Sequence, residues 1–284
     1  DRDGHSNMGR ETHLMPVIWE NQIVRWQQVS KTKWEPVRYL FPVVAPETGK
    51  VERINPLPFT DKHQFYNDTF NDNFDAKILA PDWVFRRVPQ PNTFSLKANK
   101  GHLRLYLKPE AFRPRKRYSA MGITQKESEF EWEAKMKFKP KKNLEEAGIS
   151  VYQKDINFVN LTVQKIGREH FVKVTVKEKN NQVTAMTDSA KIPNTEVKAF
   201  KSKALPNFAG EILLKIASKN GKYLYFFSID GGTTYEKLAD TPDNIVLGMM
   251  YTGANVGIYA TSNGQKTTGY ADFDWVSYKG FVKY

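Results

Sequence analysis

The sequence predicts an all-β protein built as a two-sheet antiparallel β-sandwich. From about Tyr66 onward, short segments of alternating apolar and polar residues follow one another, with turn signals between them. No stretch longer than about ten residues shows a convincing helical period of 3.6. Antiparallel strands with one apolar face each can hide those faces by stacking two sheets, so a sandwich is the simplest architecture.

Individual segments show the alternation clearly. In "EWEAKMKFK" we expect Trp132, Ala134, Met136 and Phe138 to point inward, while the charged residues between them face water. The segment "HLRLYLK" places three leucines on one face in the same way. Aromatic residues make up 13% of the chain, which agrees with strands rich in Tyr, Phe and Trp.

Before Tyr66 the chain has a different character. Residues 1–35 contain the strand-like runs "THLMPVIWE" and "NQIVRW", which predict a hairpin with its turn at Asn21-Gln22. Residues 36–65 carry several prolines that lack ladder donors, and they are expected to form an extended linker. Residues 66–284 then form the predicted sandwich.

Composition excludes several classes of function. The chain has no cysteine, so it has no disulfide framework, thiolate metal site or cysteine nucleophile. It has no apolar run long enough for a membrane span and no signal-peptide pattern, and its compartment stays open. The net charge is +12, but the dense basic runs "RPRKR" and "KFKPKKN" are typical of solvated edges and turns. We therefore expect neither a nucleic-acid nor a membrane partner.

The residues alone do not outline a complete active site. The five histidines lack zinc-site spacing, and no G-x-S-x-G or phosphate-binding loop occurs. Glutamates in the segment 127–133 are spaced two apart and share one strand face, which favours a solvated face over a catalytic pair. Aspartates near the two ends of the sandwich could bind a hard cation through oxygen or merely cap strand ends.

Several separated segments resemble, in order, the C-terminal concanavalin-like β-sandwich of family 43 glycoside hydrolases. These are the β-xylosidases and α-L-arabinofuranosidases that carry such a domain. The segments are "FNDNFDAKILAPDWVFRRVPQPNTFSLKANKGHLRLYLK", "EEAGISVYQKDINFVNLTV", "YLYFFSIDGGTTYEKL", "MYTGANVGIYATSNG" and "YADFDWVSY". The opening "MGRETHLMPVIWE" is similar to the end of the same enzymes' five-bladed catalytic propeller. The resemblance covers nearly the whole chain.

The resemblance implies a concanavalin A-like jelly roll preceded by a strand segment from the last propeller blade. It further implies the C-terminal part of a glycosidase that acts on xylan-derived oligosaccharides, with the sandwich supporting and edging the active site. In the family, two aspartates and a glutamate catalyse hydrolysis with inversion of the anomeric configuration. All three lie upstream of the "GRET" stretch. We therefore expect this chain alone to be inactive, and we expect its partners to be the catalytic propeller, in the same parent chain or a separate one, and a xylo- or arabino-oligosaccharide.

Four residues carry expected site roles through the resemblance. Arg10 matches an arginine that reaches the sugar-binding subsite, although it could instead tie the final blade to its neighbour. Tyr251 matches an aromatic residue at the pocket mouth, or else it is an ordinary rim or core aromatic. Asp72 and Asp272 are the expected ligands of a structural Ca²⁺ ion, by analogy with related sandwiches.

Two other classes of function stay open at this point. A stand-alone carbohydrate-binding sandwich would grip xylan through several exposed aromatic residues on a concave face. A laminin-G-like module would instead bind another protein.

Overall fold

The computed structural model describes residues 14–52, 68–112, 116–155, 157–177, 198–243 and 252–281. Residues 14–52 belong to one compact unit, and the residues from 68 onward belong to another. Within these ranges every named element is a β-strand, as the alternation predicts. A search of the same residues for a helix with the length and apolar character needed to cross a bilayer finds none.

In the first unit, the described strands form one β-hairpin. Strand β1 (Val17–Ser30) pairs antiparallel with β2 (Lys33–Val44), and the turn falls at Lys31-Thr32. The predicted turn at Asn21-Gln22 is wrong, because both residues lie within β1 and pair with Leu40 and Tyr39. An Asn-Gln pair lacks the glycine that a tight hairpin turn favours, so the apolar residues on either side continue one strand.

The predicted linker also needs a correction. Its first residues belong to β2, where Pro36 pairs with Trp26 and Pro42 with Trp19. In a two-stranded sheet every strand is an edge strand. A proline is tolerated there because its nitrogen, which has no N–H to donate, can face the side without a partner strand. Residues 45–52 follow the strand, and residues 53–67 lie outside the described part of the chain.

The second unit contains the other described strands. They are β3 (Thr69–Asp72), β4 (Phe94–Ser95), β5 (Leu103–Tyr106), β6 (Ser119–Thr124), β7 (Glu129–Lys137), β8 (Glu146–Lys154), β9 (Asn157–Ile166), β10 (Glu169–Lys177), β11 (Lys198–Ala204), β12 (Glu211–Lys219), β13 (Lys222–Ser228), β14 (Glu236–Pro242), β15 (Asn255–Thr261) and β16 (Tyr270–Phe281).

These strands form two antiparallel sheets. The six-stranded sheet has the order β11-β10-β9-β8-β15-β6. The eight-stranded sheet has the order β14-β13-β12-β7-β16-β5-β4, and β3 pairs with β16. Apolar residues from both sheets meet in one core, which confirms the predicted sandwich.

The core follows the period-two pattern of the sequence. Along β7 the buried Trp132, Ala134 and Met136 alternate with partly exposed charged residues, as predicted. Those charges pair across neighbouring strands: the Lys135 Nζ atom lies 3.0 Å from an Asp274 carboxylate oxygen. Inside the sandwich, the Trp132 indole N–H donates to the Gly257 carbonyl of the opposite sheet at 3.0 Å.

Replacing the indole that joins the two sheets should destabilise the chain. Trp132→Phe removes the donor to Gly257 and leaves a void, so we expect the free energy of unfolding to fall by about 1–3 kcal/mol. Urea denaturation followed by circular dichroism measures the change. The matched control is Trp34→Phe on the hairpin, where the indole is 57% exposed. Equal losses in the two variants would contradict the role given to Trp132.

Candidate functional site

The structure leaves two of the four expected site residues undescribed. Arg10 and Tyr251 both lie outside the described residues, so their roles in sugar binding stay predictions. The description resumes at Thr252, directly after Tyr251. The segment Thr252–Ala254 is the described part of the chain that follows Tyr251 in the sequence.

Two glutamines hold this segment against the six-stranded sheet. The Gln153 side-chain amide donates to the Thr252 carbonyl at 3.0 Å. The backbone N–H of Gln125 donates to the carbonyl of Ala254, whose side chain is buried. The register explains the contact: Asn255 of β15 pairs with Tyr152 of β8, so Gln153 comes next to the residues that precede β15. The backbone that leads to Tyr251 is thus fixed at one end of the sheet.

A cluster of tyrosines surrounds a buried carboxylate at the same end of β8. The Tyr152 hydroxyl donates to Asp155 Oδ1 at 2.7 Å. The Tyr118 hydroxyl lies 2.8 Å from that of Tyr152 and 3.1 Å from the same carboxylate oxygen. The guanidinium of Arg86 lies over the Tyr152 ring and 4.0 Å from Asp155. Asp155 is therefore occupied by structural donors.

The environment keeps both phenols protonated. Burial, followed by the neighbouring Tyr118 and Asp155, raises the pKa of Tyr152 far above its ordinary value of about 10. Burial and Asp155 likewise raise the pKa of Tyr118. Because a neutral phenol keeps its proton, each hydroxyl can act as a hydrogen-bond donor throughout the neutral range.

Sequence reasoning missed this cluster. Tyr118 precedes β6, Tyr152 lies in β8 and Arg86 lies in the loop before β4, so only the folded chain brings them together. Phe112 packs against both tyrosine rings, with centroid distances of 4.6 and 4.7 Å, and completes the aromatic layer. The sequence offers one weak local signal, a tyrosine three residues before an aspartate at a strand end.

The structure places Asp72 and Asp272 in separate hydrogen-bond networks. Asp72 accepts from the Phe74 backbone N–H at 2.9 Å and from the Trp83 indole N–H at 2.8 Å. Asp272 accepts two hydrogen bonds of 2.8 Å from the guanidinium of Arg104. Each carboxylate thus holds its own set of N–H donors.

This arrangement does not fit a calcium site made from the two residues. A hard cation needs several oxygen ligands, whereas these carboxylate oxygens already accept hydrogen bonds from N–H groups. The positively charged guanidinium of Arg104 also lies beside Asp272 and would repel a cation there. Among the described residues, no three His, Cys, Asp or Glu side chains are grouped so that they could hold a metal ion. The calcium site stays a prediction, and these contacts count against it.

Comparison with protein families gives one match that covers most of the sandwich. A family model described as "Beta xylosidase C-terminal Concanavalin A-like domain" matches residues 71–279. The matched range begins at the residue before Asp72 and runs nearly to the end of β16.

Two curated relatives match almost the whole chain. The "Non-reducing end alpha-L-arabinofuranosidase BoGH43B" of Bacteroides ovatus is 31% identical over 277 residues, which are 97% of this chain and 46% of that protein. A "Xylosidase/arabinosidase" of Butyrivibrio fibrisolvens is 27% identical over 276 residues, which are 96% of this chain and 47% of that protein. The chain spans about half the length of these curated relatives.

Solved structures share the fold. The structure titled "Bacteroides ovatus Xyloglucan PUL GH43B" superposes with a TM-score of 0.71 at 27% identity, over 87% of this chain and 47% of that one. The GH43 protein BlXynB of Bacillus licheniformis gives a TM-score of 0.71 at 22% identity, over 98% of this chain and 48% of that one. At that lower identity the likeness shows the fold alone.

The raised pKa of Tyr152 predicts how stability depends on pH. A group that holds its proton more tightly when folded contributes stability below its unfolded pKa and loses it as pH rises further. We expect the free energy of unfolding to fall above about pH 10, and to fall less steeply in Tyr152→Phe. Urea titrations between about pH 8 and about pH 11 measure the slopes. Tyr39→Phe, at an exposed tyrosine, is the control, and an equal flattening there would contradict the account.

Proposed function

Because the chain belongs to the family of β-xylosidase C-terminal concanavalin A-like domains, we propose that it is the C-terminal part of a glycoside hydrolase. The enzyme acts on xylan-derived oligosaccharides, and the sandwich supports and edges the active site of its catalytic propeller. The observation that carries the proposal is the family match over residues 71–279. The names of both curated relatives, an arabinofuranosidase and a xylosidase/arabinosidase, support a substrate that carries arabinose or xylose residues.

The exposed hairpin supports the part of the proposal that concerns the propeller. Its three tryptophans, Trp19, Trp26 and Trp34, are 65%, 58% and 57% exposed. An isolated two-stranded hairpin is only marginally stable in water, and an exposed apolar surface of this kind marks an interaction site. We take the hairpin as the last strands of a propeller blade, which bury these side chains when the catalytic part is present in the same parent chain or as a separate chain.

The anchored segment Thr252–Ala254 supports the role of the sandwich at the active-site edge. Gln153 and Gln125 fix the backbone that follows Tyr251. Because the backbone of Thr252–Ala254 is held in place, the positions open to the adjacent Tyr251 are limited. Tyr251 would then stack on the C–H face of a bound sugar at the pocket mouth. Arg10 would contribute a charged, planar donor to the same pocket.

A stand-alone carbohydrate-binding module is the weaker alternative. Such a module needs several exposed aromatic rings on one face. In the described part of the sandwich, Phe200 and Tyr270 are the aromatic side chains that stay exposed, while Trp83 and Trp132 are buried. We therefore favour the enzyme part over the free module.

The division of labour predicts that the chain alone does not hydrolyse glycosides. We expect no turnover of nitrophenyl xyloside or nitrophenyl arabinofuranoside by the purified chain, because the proton-transfer acids belong to the propeller. Steady-state release of nitrophenol is the measurement. Turnover that a point change within this chain abolishes would refute the claim that the site is incomplete.

The position of Tyr251 is tested in the joined enzyme. When the chain is linked to its catalytic propeller, we expect Tyr251→Ala to lower kcat/KM by about threefold to tenfold, the value of one aromatic contact. Tyr39→Phe on the hairpin, which removes only a hydroxyl, serves as the control and should leave kcat/KM unchanged. An unchanged kcat/KM in Tyr251→Ala would mean that this residue is an ordinary rim aromatic.

A further inference from the structure

The sandwich carries a cleft that the proposed function does not use. Its volume is about 500 Å³, within the range of small-molecule sites. The end of β7 with the loop that follows forms one wall, and Thr267–Asp272 forms another. Residues 209–211, which lead into β12, line the remaining side. All of these residues belong to the described part of the sandwich.

Three lysines give the cleft a positive charge. Lys139, Lys141 and Lys142 line it and are exposed. Within the described ranges, no carboxylate forms an ion pair with any of the three, although the chain has many such pairs elsewhere. Exposed ammonium groups in one concave site raise the local concentration of anions.

The acidic side chains of the cleft are already occupied. Glu145 is buried and accepts from the backbone N–H groups of Lys141 and Lys142, at 2.7 and 3.0 Å. Its other oxygen accepts from the Thr267 hydroxyl at 2.5 Å. These donors are neutral, so Glu145 keeps its negative charge, but the three lysines outnumber it and leave the balance positive.

The other two acids in the lining are paired with cationic side chains. Asp272 is bound by the guanidinium of Arg104. Glu211 lies 3.5 Å from Lys135 and 3.7 Å from Lys137. Neither carboxylate is free to neutralise the lysines of the opposite wall.

Cross-bonds hold the two walls together. Glu145 ties the lysine loop to Thr267, and the Lys142 Nζ atom donates to the Lys266 carbonyl at 2.7 Å. On the remaining side, Gly210 has φ +103, and a Cβ there would lie 2.5 Å from the Lys139 side chain. Because Gly210 has no side chain, the Lys139 side chain can pack over it along this side of the cleft.

The cleft also offers groups that suit a sugar ring. Thr268 brings a hydroxyl group to it, whereas the hydroxyl of Thr267 already donates to Glu145 and accepts from the Gly269 N–H. Tyr270 lines it, and its side chain keeps 43% of its surface exposed while Arg104 stacks at 3.6 Å from the ring centroid. An aromatic ring packs against the C–H face of a sugar, and hydroxyl groups exchange hydrogen bonds with the sugar's own.

We propose that this cleft binds an acidic oligosaccharide, one whose sugar carries a carboxylate, as uronic acids do. The lysines hold the carboxylate, Thr268 contacts a ring hydroxyl, and Tyr270 packs on the ring. The choice of a saccharide over other anions rests on the proposed function, whereas the choice of an anion rests on the lysines. The cleft would direct the parent enzyme to acidic stretches of its polysaccharide.

Calorimetric titration of the full chain tests the proposal. The probes are a xylo-oligosaccharide that bears one uronic acid, the neutral oligosaccharide of the same length, and inorganic phosphate. We expect the acidic oligosaccharide to bind at least about tenfold more tightly than either of the others, and its affinity to fall with added salt.

A matched pair of variants locates the binding. Lys139→Ala with Lys141→Ala should weaken binding of the acidic oligosaccharide by about tenfold or more. Lys219→Ala with Lys222→Ala removes the same charge at the exposed β12–β13 turn. This control should change the affinity for the acidic oligosaccharide by less than about twofold. Equal losses in the two variants, or equal binding of acidic and neutral oligosaccharides, would overturn the proposal. Equal or tighter binding of phosphate would overturn it as well, because the cleft would then be a plain anion site.

The two proposals can fail separately. In the chain joined to its propeller, hydrolysis of neutral nitrophenyl substrates should be the same with and without the Lys139 and Lys141 changes. If the unsubstituted chain shows no preference for the acidic oligosaccharide while the joined enzyme hydrolyses the neutral substrates, only the cleft proposal is overturned. Absent hydrolysis with selective binding would support the cleft and contradict the proposed enzyme.

Discussion

The face-to-face packing of the two sheets is the constraint on which the rest of the structure depends. Trp132 is fully buried in the interior and donates its indole N–H to the Gly257 carbonyl of the opposite sheet. Around it, the strands send alternate side chains inward and leave the others on the outer faces. Along β7, where buried and partly exposed residues alternate, a shift by one residue would turn the apolar set out to solvent, so its register is strongly fixed.

A fixed register gives the loops at the sheet ends rigid attachment points. Buried polar side chains then bind the loops to these attachment points. Gln153 donates to the Thr252 carbonyl, and Glu145 joins the loop that carries Lys141 and Lys142 to Thr267. Both residues lie at or next to the ends of β8, one at each end. The same strand therefore supports the segment next to Tyr251 and the cleft of lysines, and the sandwich core separates the two places.

The sequence was sufficient for the features that depend on local alternation. The inward set of Trp132, Ala134 and Met136 was predicted from one strand, because burial there follows the period of two. The hairpin turn was placed wrongly, because Asn21 and Gln22 continue β1, and so was the start of the linker, because residues 36–44 belong to β2. The strand partners of Pro36 and Pro42 are not encoded in their neighbours along the chain.

The candidate sites depended on contacts between distant residues, and the sequence could not supply them. Tyr118 and Tyr152 are 34 residues apart, and Arg104 and Asp272 are 168 apart. The expectation of calcium at Asp272 treated a carboxylate as free, whereas the fold brings a guanidinium to it. The lysine run was interpreted as a solvated turn, because the buried Glu145 and the wall formed by Thr267 become visible only when the chain is folded.

The central proposal is that this chain completes an enzyme whose catalytic propeller covers the hairpin. Amide hydrogen exchange, compared between the chain alone and the chain joined to its propeller, tests that claim most directly. The account predicts that amides of β1 and β2 exchange at least about a hundredfold more slowly in the joined protein, while those of β7 and β8 keep the same protection. Unchanged exchange in β1 and β2 would contradict it.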